Sequence, residues 1–286
     1  LPHRCVINEE KETTKLRVVY DASSNNPSLN DCLEKGPCLL PLLLDILIRF
    51  RTYKVALVSD IRQAFLNVGV HEADRNFLRF LWVTDVNDPN FEIIVYRFTR
   101  VLFGMKPSSY LLAVTILKHL RSYPDTYKPT IDYILSSFYV DDNIGGGNDE
   151  CDALDKYTML KSIFSSAGFD LKKWRSNHPE VQTKIDAHES RISSKEGPQS
   201  RDDSHKGLGL EWNTRCDSLN IATNEIYTQA KDMVVTKRNV LKMISSIYDP
   251  LGLISPVTIL LKEFFQKLCE IKVNWDSELN DVLKTE

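Results

Sequence analysis

Two adjacent carboxylates are the clearest chemical feature of this 286-residue sequence. Asp141 and Asp142 follow the apolar, β-prone run Phe138–Val140 and precede Asn143, Ile144 and three glycines. An apolar run followed by a turn signal predicts a hairpin with the two acids at or near its tip. Because neighbouring carboxylates repel each other they need a cation, and a hard divalent ion such as Mg²⁺ prefers oxygen ligands.

A third acid, Asp60, ends a second apolar segment, Lys54–Asp60. Side chains alternate along a regular strand, so one acid of the adjacent pair points at a site and the other reaches it from the turn or supports it. Two strands that each deliver an aspartate to one sheet edge can hold two ions about 3.5–4 Å apart. Such a pair supports in-line phosphoryl displacement, with one ion activating a hydroxyl and the other stabilising the leaving pyrophosphate.

Four blocks in order carry a resemblance to a known family. They are Asp60 with Phe65 after it, Leu102–Ser109, Tyr139–Asp142 and Ile244–Pro256. Their order and spacing resemble those of retroelement reverse transcriptases, in particular the polymerase segment of BEL/Pao-type LTR retrotransposon polyproteins. The Tyr-x-Asp-Asp box alone is a weak signal, whereas four ordered blocks spread over nearly the whole chain are a strong one.

The resemblance implies an α+β fold, the polymerase right hand, with fingers, a ferredoxin-like palm and a partial helical thumb. Residues 1–53 would form the N-terminal part of the fingers with the first palm helix, 54–72 a palm segment with the first Asp strand, and 73–100 the returning strands of the fingers. Residues 101–228 would form the rest of the palm, with a mobile insertion at 175–206. Residues 229–286 would form an incomplete thumb.

The resemblance also implies roles for single residues. Catalysis and the binding of two Mg²⁺ ions, with Mn²⁺ as an alternative, would fall to Asp60, Asp141 and Asp142. The nucleotide site would comprise Arg17, Ile61, Phe65, Phe103, Gly104 and Lys172, and the primer and template contacts Tyr139, Gly209 and Trp212. Arg17 would grip the triphosphate, and the Phe65 ring would exclude a ribose 2′-hydroxyl.

Simpler structural roles compete with several of these assignments. Arg17 could be a surface residue of an edge strand, Phe65 a core residue, and Trp212 the anchor of a hairpin. The lysine next to the leaving pyrophosphate could be Lys172 or Lys173, and alternation along a strand would place them on opposite faces. Solvated lysines that blunt a sheet edge are an equal alternative.

The implied partners are an RNA template, a DNA primer or RNA–DNA hybrid, and dNTPs. Protease, RNase H and integrase parts of the polyprotein would lie outside this segment, and no RNase H or integrase acid pattern is evident. No membrane association is expected, and the implied location is the cytoplasm, within virus-like particles whose products reach the nucleus. A competing interpretation is a domesticated or decayed element that binds nucleic acid or protein without catalysis, although the intact acids oppose it.

Composition sets weaker bounds. With 42% apolar and 26% charged residues the chain is ordinary for a globular protein. The net charge of −3 counts mildly against phosphate binding. Six scattered cysteines without a Cys-x-x-Cys pair argue against a zinc ribbon and a disulfide-stapled domain. The longest apolar run, Cys38–Ile48, is too short to span a bilayer, and the start at Leu1 suggests a piece of a longer polyprotein.

Periodicity and turn signals predict the elements around these residues. Predicted strands cover Lys15–Asp21, Phe77–Val83, Phe91–Phe98, Phe169–Trp174 and Gly207–Asn213, and predicted helices cover Leu39–Arg51, a segment opening within Leu102–Tyr110, Glu150–Ala167, Pro179–His188, Val240–Ile247 and Pro256–Leu268.

Overall fold

Short antiparallel strands alternate with helices in the computed structural model, which describes residues 1–7, 16–192, 204–207, 209–221, 223–231 and 233–284. The strands are β1 His3–Ile7, β2 Leu16–Tyr20, β3 Val55–Ile61, β4 Arg79–Val83, β5 Ile93–Arg97, β6 Phe138–Tyr139, β7 Asp142–Gly147, β8 Leu171–Ser176, β9 Ser204–Gly207, β10 Leu210–Asn213 and β11 Ser218–Asn220. The helices are α1 Leu43–Phe50, α2 Ser108–Leu120, α3 Lys128–Ser137, α4 Glu150–Ser166, α5 Pro179–Ile192, α6 Asn224–Lys231, α7 Lys237–Ser246, α8 Ser255–Glu270 and α9 Asp281–Lys284.

The chain divides into two compact units. The first comprises Leu1–Leu42 and Arg49–Trp174, and the second comprises Leu43–Ile48 and Arg175–Glu286. The five-part division implied by the resemblance therefore stays a prediction.

The first unit is built on a four-stranded sheet in the order β6-β7-β3-β8. β3 lies inside this sheet, and every residue of the strand except Asp60 is buried. Burial on both faces explains why its sequence, Val-Ala-Leu-Val-Ser-Asp-Ile, is nearly continuously apolar. Helices α3 and α4 pack on the sheet, so the polar end of β3 at Asp60 is the place where this strand reaches solvent.

Three glycines, Gly145 to Gly147, were predicted as the turn after the paired acids, and the structure corrects this. They lie inside β7, opposite Leu57, Ala56 and Val55 of β3. A Cβ atom on Gly146 would lie 2.4 Å from a Val55 carbonyl oxygen, and one on Gly147 would lie 2.4 Å from a backbone nitrogen. The glycines are therefore required by close packing rather than by chain reversal.

Two hairpins, β1–β2 and β4–β5, belong to the same unit. Aromatic rings join them, because the His3 ring stacks on Trp82 at 5.4 Å and Tyr20 meets Phe98 edge-on at 4.8 Å. The β4–β5 hairpin confirms the strands predicted at 77–83 and 91–98. Packing accounts for only part of the aromatic content of this region, since Tyr96 on β5 and Phe77, two residues before β4, remain exposed.

The second unit holds the antiparallel sheet β9–β10–β11 and helices from the C-terminal third of the chain. Helix α5 buries Val181 and Ile185 completely. Residues 175–192 of the predicted mobile insertion are therefore organised around a helix, and residues 193–203 of that prediction lie outside the described residues. Helices α7 and α8 share a small core of Val240, Leu268 and Leu279.

The break between α7 and α8 has a local cause. The Asp249 carboxylate accepts hydrogen bonds from the backbone N–H groups of Leu253 (2.9 Å) and Ile254 (2.8 Å). Asp249–Gly252 therefore forms the break predicted from the sequence, and α8 resumes one residue before the predicted start at Pro256. Among the described residues, no helix is long and apolar enough to cross a membrane.

Candidate functional site

Asp60 and Asp142 face each other at the end of the central sheet, as register partners on the antiparallel strands β3 and β7. The next pair outward is joined by a hydrogen bond from the Ile61 N–H to the Asp141 carbonyl oxygen (2.9 Å). Asp60 and Asp142 therefore occupy a non-hydrogen-bonded position, where Cα atoms lie about 4.5 Å apart and side chains share a face. Two aspartates distant in sequence are therefore direct neighbours across strands at the end of the sheet.

Asp141 lies in the turn itself, between β6 and β7. Val140 before it has φ +58°, a left-handed conformation that is unusual for a β-branched residue and that breaks the alternation of a regular strand. Burial raises the pKa of the Asp141 carboxyl, the charge of Asp60 raises it further, and the charge of Lys173 opposes both. The predicted placement of the acids at the hairpin tip is confirmed, with the turn at 140–141 instead of at the glycines.

The two oxygens of Asp60 have different environments. Oδ2 accepts a short hydrogen bond from the Lys173 ammonium in an ion pair. Oδ1 is buried and has no hydrogen-bond partner among the residues that the structure describes. A buried carboxylate oxygen without a donor is costly, so this atom is an open acceptor at the candidate site.

The donor chemistry of the three acids fits a hard divalent cation, since it consists of carboxylate oxygens, one of them unsatisfied. Their present arrangement is not a closed ligand set, because the described ranges contain no group of three or more His, Cys, Asp or Glu side chains that could hold a metal ion. The positive charge at Asp60 comes instead from Lys173.

The lysine assigned to the nucleotide site is paired elsewhere. Lys172 lies 3.6 Å from Asp170 Oδ2, and Lys161 lies 3.4 Å from Asp170 Oδ1. The structure therefore places Lys173, and not Lys172, next to the candidate catalytic residue Asp60. The two lysines have different partners, as the predicted alternation implies. Lys173 also has φ +54°, a local backbone conformation that periodicity does not reveal.

Two aromatic candidates for the nucleotide site are in direct contact. Phe65 is buried in the 3₁₀ turn Ala64–Asn67, and its ring meets the ring of Phe103 edge-on at 4.6 Å. Phe103 is 58% exposed. Ile61, also assigned to this site, is buried, so its side chain contributes to the core and its N–H holds the Asp141 turn.

Gly104 lies in a loop that is clamped by a residue the sequence did not single out. Asn30 Nδ2 donates to the Gly104 carbonyl (2.9 Å), and Asn30 Oδ1 accepts from the Lys106 N–H (2.8 Å). Gly104 has φ +87°, which suits glycine. These two hydrogen bonds fix the loop that precedes α2, and Asn30 Nδ2 also donates to Ser23 Oγ (2.8 Å).

Arg17 and Tyr139 lie on strands. Arg17 is exposed on β2 opposite Val6, in a separate two-stranded sheet. Tyr139 is partly buried on β6 opposite Asp142, directly before the turn. Tyr139 therefore borders the carboxylates, whereas the role of Arg17 stays a prediction.

Gly209 and Trp212, the candidates for primer contact, belong to the second unit. The Trp212 side chain is buried, and its indole N–H donates to Asp217 Oδ1 (2.9 Å) across the turn between β10 and β11. Gly209 has φ +78°, and a Cβ there would lie 2.7 Å from the Tyr248 ring. These contacts favour the role of Trp212 as a hairpin anchor, while primer contact stays a prediction.

The anchor role predicts a measurable loss. Trp212→Phe should lower the free energy of unfolding by about 1–2 kcal/mol, because the Asp217 carboxylate loses its buried donor. Urea denaturation followed by circular dichroism measures the change. Tyr227→Phe, at an exposed position of α6, is the control. An unfolding free energy of Trp212→Phe equal to that of the unchanged chain would contradict the anchor role.

Sequence reasoning missed several residues at this site. Ser59 and Asn143 form a buried pair directly behind the acids, with Asn143 Nδ2 donating to Ser59 Oγ at 3.3 Å. Asn30 acts through its side-chain amide on the loop before α2, and Asp170 acts through its backbone, since its carbonyl accepts from the Arg62 N–H (2.8 Å). The sequence signal that could have identified Ser59 is its polar side chain within an otherwise apolar strand.

The fold defines the class of protein to which the chain is similar. The foamy viral protease–reverse transcriptase in complex with RNA/DNA hybrid aligns with a TM-score of 0.54 and 13% identity over 90% of this chain. A dRH form of the foamy viral protease–reverse transcriptase, in complex with double-stranded DNA, aligns with a TM-score of 0.57 and 15% identity over 98% of it. The chain has a mixed α/β fold with small antiparallel sheets, similar to these retroviral structures.

This chain spans 29% and 41% of the length of those two chains. A family match adds a narrower likeness, because residues 236–286 match the Pao retrotransposon-like RNaseH-like domain. In its described residues that segment consists of α7, α8 and α9 with a single β-bridge, Thr236–Glu278. Among curated proteins none matches the chain. Together, these findings show a fold similar to that of the foamy viral proteins and a likeness of residues 236–286 to one retrotransposon domain family.

Proposed function

We propose that this chain is an RNA-directed DNA polymerase, a reverse transcriptase segment of a BEL/Pao-type retroelement. The observation that carries the proposal is the register of β3 and β7, which sets Asp60 opposite Asp142 with Asp141 in the adjoining turn. Three carboxylates near one sheet edge, one with an unsatisfied buried oxygen, suit cation-assisted phosphoryl transfer. Fold similarity alone would not establish this chemistry.

The reaction joins a primer 3′-hydroxyl to the α-phosphate of a dNTP. A new oxygen–phosphorus bond forms as the bond to the leaving pyrophosphate breaks, and the hydroxyl proton is released. Asp60, Asp141 and Asp142 would hold two divalent ions, Mg²⁺ or Mn²⁺. When bound, such ions lower the pKa of the attacking hydroxyl and neutralise charge on the leaving group.

The chain's own residues would position the reactants. In this proposal Tyr139 lies beside the primer end, Phe65 and Phe103 form an aromatic wall below the sugar, and Arg17 holds the triphosphate through its planar donors. Gly104, fixed by Asn30, would allow the nucleotide to approach the backbone. Lys173 lies close enough to Asp60 to assume the role first assigned to Lys172.

The finer fold assignment belongs to the same proposal. The sheet β6-β7-β3-β8 would be the palm, the β1–β2 and β4–β5 hairpins the fingers, and α7–α8 part of a thumb. The proposed partners are an RNA template, a DNA primer or RNA–DNA hybrid, and dNTPs, together with protease, RNase H and integrase parts of a polyprotein. The proposed location is the cytoplasm, in virus-like particles.

The test is primer extension by the purified chain. An RNA template with an annealed DNA primer, all four dNTPs and Mg²⁺ should give extended products, and chelation of the metal should stop synthesis. Extension that proceeds unchanged in excess chelator, or no extension with either Mg²⁺ or Mn²⁺, would overturn the proposal.

Sugar selection gives a second prediction. Phe65→Val should raise the use of ribonucleotides relative to deoxyribonucleotides by about 10- to 100-fold, since a hydrophobic wall discriminates at roughly 1–3 kcal/mol per small group. Steady-state incorporation of dCTP and CTP measures the ratio. Phe77→Val, at a solvent-exposed ring, is the control, and an unchanged ratio in a folded Phe65→Val protein would assign Phe65 to the core alone.

A second candidate function is nucleic-acid or protein binding without catalysis. One observation favours it, because within the described residues the acids form no closed metal-binding group and Lys173 neutralises Asp60. Metal-dependent incorporation of dNTPs separates the two functions, because a decayed element would bind the template–primer duplex in a gel-shift assay and extend nothing.

A further inference from the structure

Lys173 has an unusual position in the sheet. It belongs to β8, the neighbour of β3, and its backbone has φ +54° within the strand. A left-handed conformation is unfavourable for a residue with a Cβ. Strain of this kind persists where the surroundings impose it, and here it accompanies the turn of the Lys173 side chain to Asp60.

The ion pair joins groups of unequal exposure. The Lys173 side chain is 50% exposed, whereas that of Asp60 is 24% exposed and has one oxygen without a hydrogen-bond partner in the described parts of the chain. The charge of Lys173 also acts on the neighbouring Asp141 carboxyl. One cation on a long, half-exposed side chain therefore pairs with one of the acids proposed to hold metal and acts on a second.

The adjacent lysine provides a contrast within the same strand. Lys172 has a side chain that is only 12% exposed, and it pairs with Asp170, which Lys161 also contacts. Lys172 is thus held in a separate charge cluster, whereas Lys173 has an open path to solvent when its partner is taken.

From these contacts we infer that Lys173 is an internal counter-ion of the carboxylate site, which a divalent cation must displace from Asp60 in order to bind. The inference rests on the proposed function, because it concerns how that site accepts its metal. The ammonium stabilises the site when no metal is present and competes with the metal for Asp60 Oδ2.

Two opposite effects follow from this competition. Removing the ammonium should tighten metal binding, since the ion no longer displaces a resident charge. The same change should destabilise the metal-free protein, since Asp60 and Asp141 then repel each other without compensation. A lysine with a merely structural role would not link a gain in metal affinity to a loss of stability.

The test uses Lys173→Asn, because asparagine tolerates a left-handed backbone, and Lys173→Gly as a second variant that relieves the strain. Titration with Mn²⁺, followed by electron paramagnetic resonance of the free ion, gives the dissociation constant without any activity measurement. We expect it to fall by about three- to fivefold in both variants, the upper part of the range for a partly exposed ion pair. Thermal unfolding in a chelator should show lower midpoints for both variants than for the unchanged chain. The decrease in midpoint should be smaller for Lys173→Gly, because glycine relieves the backbone strain.

Lys172→Gln removes the same charge from the adjacent residue, and its Mn²⁺ affinity should stay within about twofold of the unchanged chain. Equal dissociation constants for the unchanged chain and both Lys173 variants, or equal gains in Lys172→Gln and Lys173→Asn, would overturn the inference. Absence of Mn²⁺ binding in every variant would overturn it as well. A gain in Mn²⁺ affinity in the Lys173 variants only would support the inference. If the unchanged chain then extends no primer, that result counts against the polymerase proposal and not against this inference.

Discussion

Asp141→Asn is expected to lower Mg²⁺-dependent dNTP incorporation by at least about a thousandfold, because metal-assisted charge stabilisation supplies several kcal/mol and each 1.36 kcal/mol is tenfold in rate. The amide of asparagine is neutral, so the substitution removes one negative charge beside Asp60 and Asp142. Single-turnover primer extension measures the rate of the chemical step.

The same substitution should leave the fold intact and slightly more stable. The pKa of Asp141 is raised by burial and by Asp60, so the folded protein penalises the ionised carboxyl. Stability is therefore lost as pH rises through the raised pKa, and Asp141→Asn should remove that loss. Because Asp141 is partly exposed, solvent screening keeps the gain at neutral pH to about 1 kcal/mol or less.

Asp132→Asn, at an exposed carboxylate of α3, is the matched control and should change neither incorporation nor the pH profile of unfolding. Chemical denaturation at pH 4.5 and 7.5 checks the sign of the stability effect. Near-normal incorporation by Asp141→Asn would remove the acid from the catalytic proposal. A large drop in its unfolding midpoint would instead assign Asp141 a structural role.

Gly146→Ala should destabilise the first unit by about 3 kcal/mol, at the upper end of what overpacking usually costs. The added Cβ would lie 2.4 Å from the Val55 carbonyl oxygen and 2.8 Å from the Tyr53 side chain. The backbone here is also held by two hydrogen bonds, from the Gly146 N–H to Tyr133 Oη (3.0 Å) and from Lys156 Nζ to the Gly146 carbonyl (2.9 Å). Removing this steric overlap would require β7 to move away from β3.

Because Asp142 lies on β7 only four residues before Gly146, this strain should also disturb the carboxylate register and reduce activity. Urea unfolding measures the stability change. Gly69→Ala is the control, since its Cβ would meet no atom closer than 3.9 Å, and its effect should stay within about 1 kcal/mol. Equal stability of the two variants would show that β7 tolerates a side chain at residue 146.

Local patterns predicted much of the secondary structure around the site. The helix predicted at Glu150–Ala167 is observed at Glu150–Ser166, because its cap Asp149 accepts from the Asp152 N–H (2.9 Å) and Gly168 ends it. The helix predicted at Leu39–Arg51 is shorter, Leu43–Phe50, as is common at element ends. The strand predicted at Lys15–Asp21 is observed at Leu16–Tyr20.

Other features depended on contacts between distant residues. The glycines after Asp142 carried the composition of a turn, yet Tyr53, Tyr133 and Ala153 pack where their side chains would be. A sequence pattern cannot weigh such neighbours, because they are supplied by segments far along the chain.

The sequence by itself determined which groups can do chemistry, namely an acid at the end of an apolar strand and an acid pair after a second one. It also determined that those strands form, because their apolar content requires burial. Only the tertiary structure decided the pairing of Asp60 with Asp142, the turn at Val140 and the choice of Lys173 over Lys172. Those outcomes depend on strand register and on single left-handed residues, which set side-chain direction and leave no periodic signal.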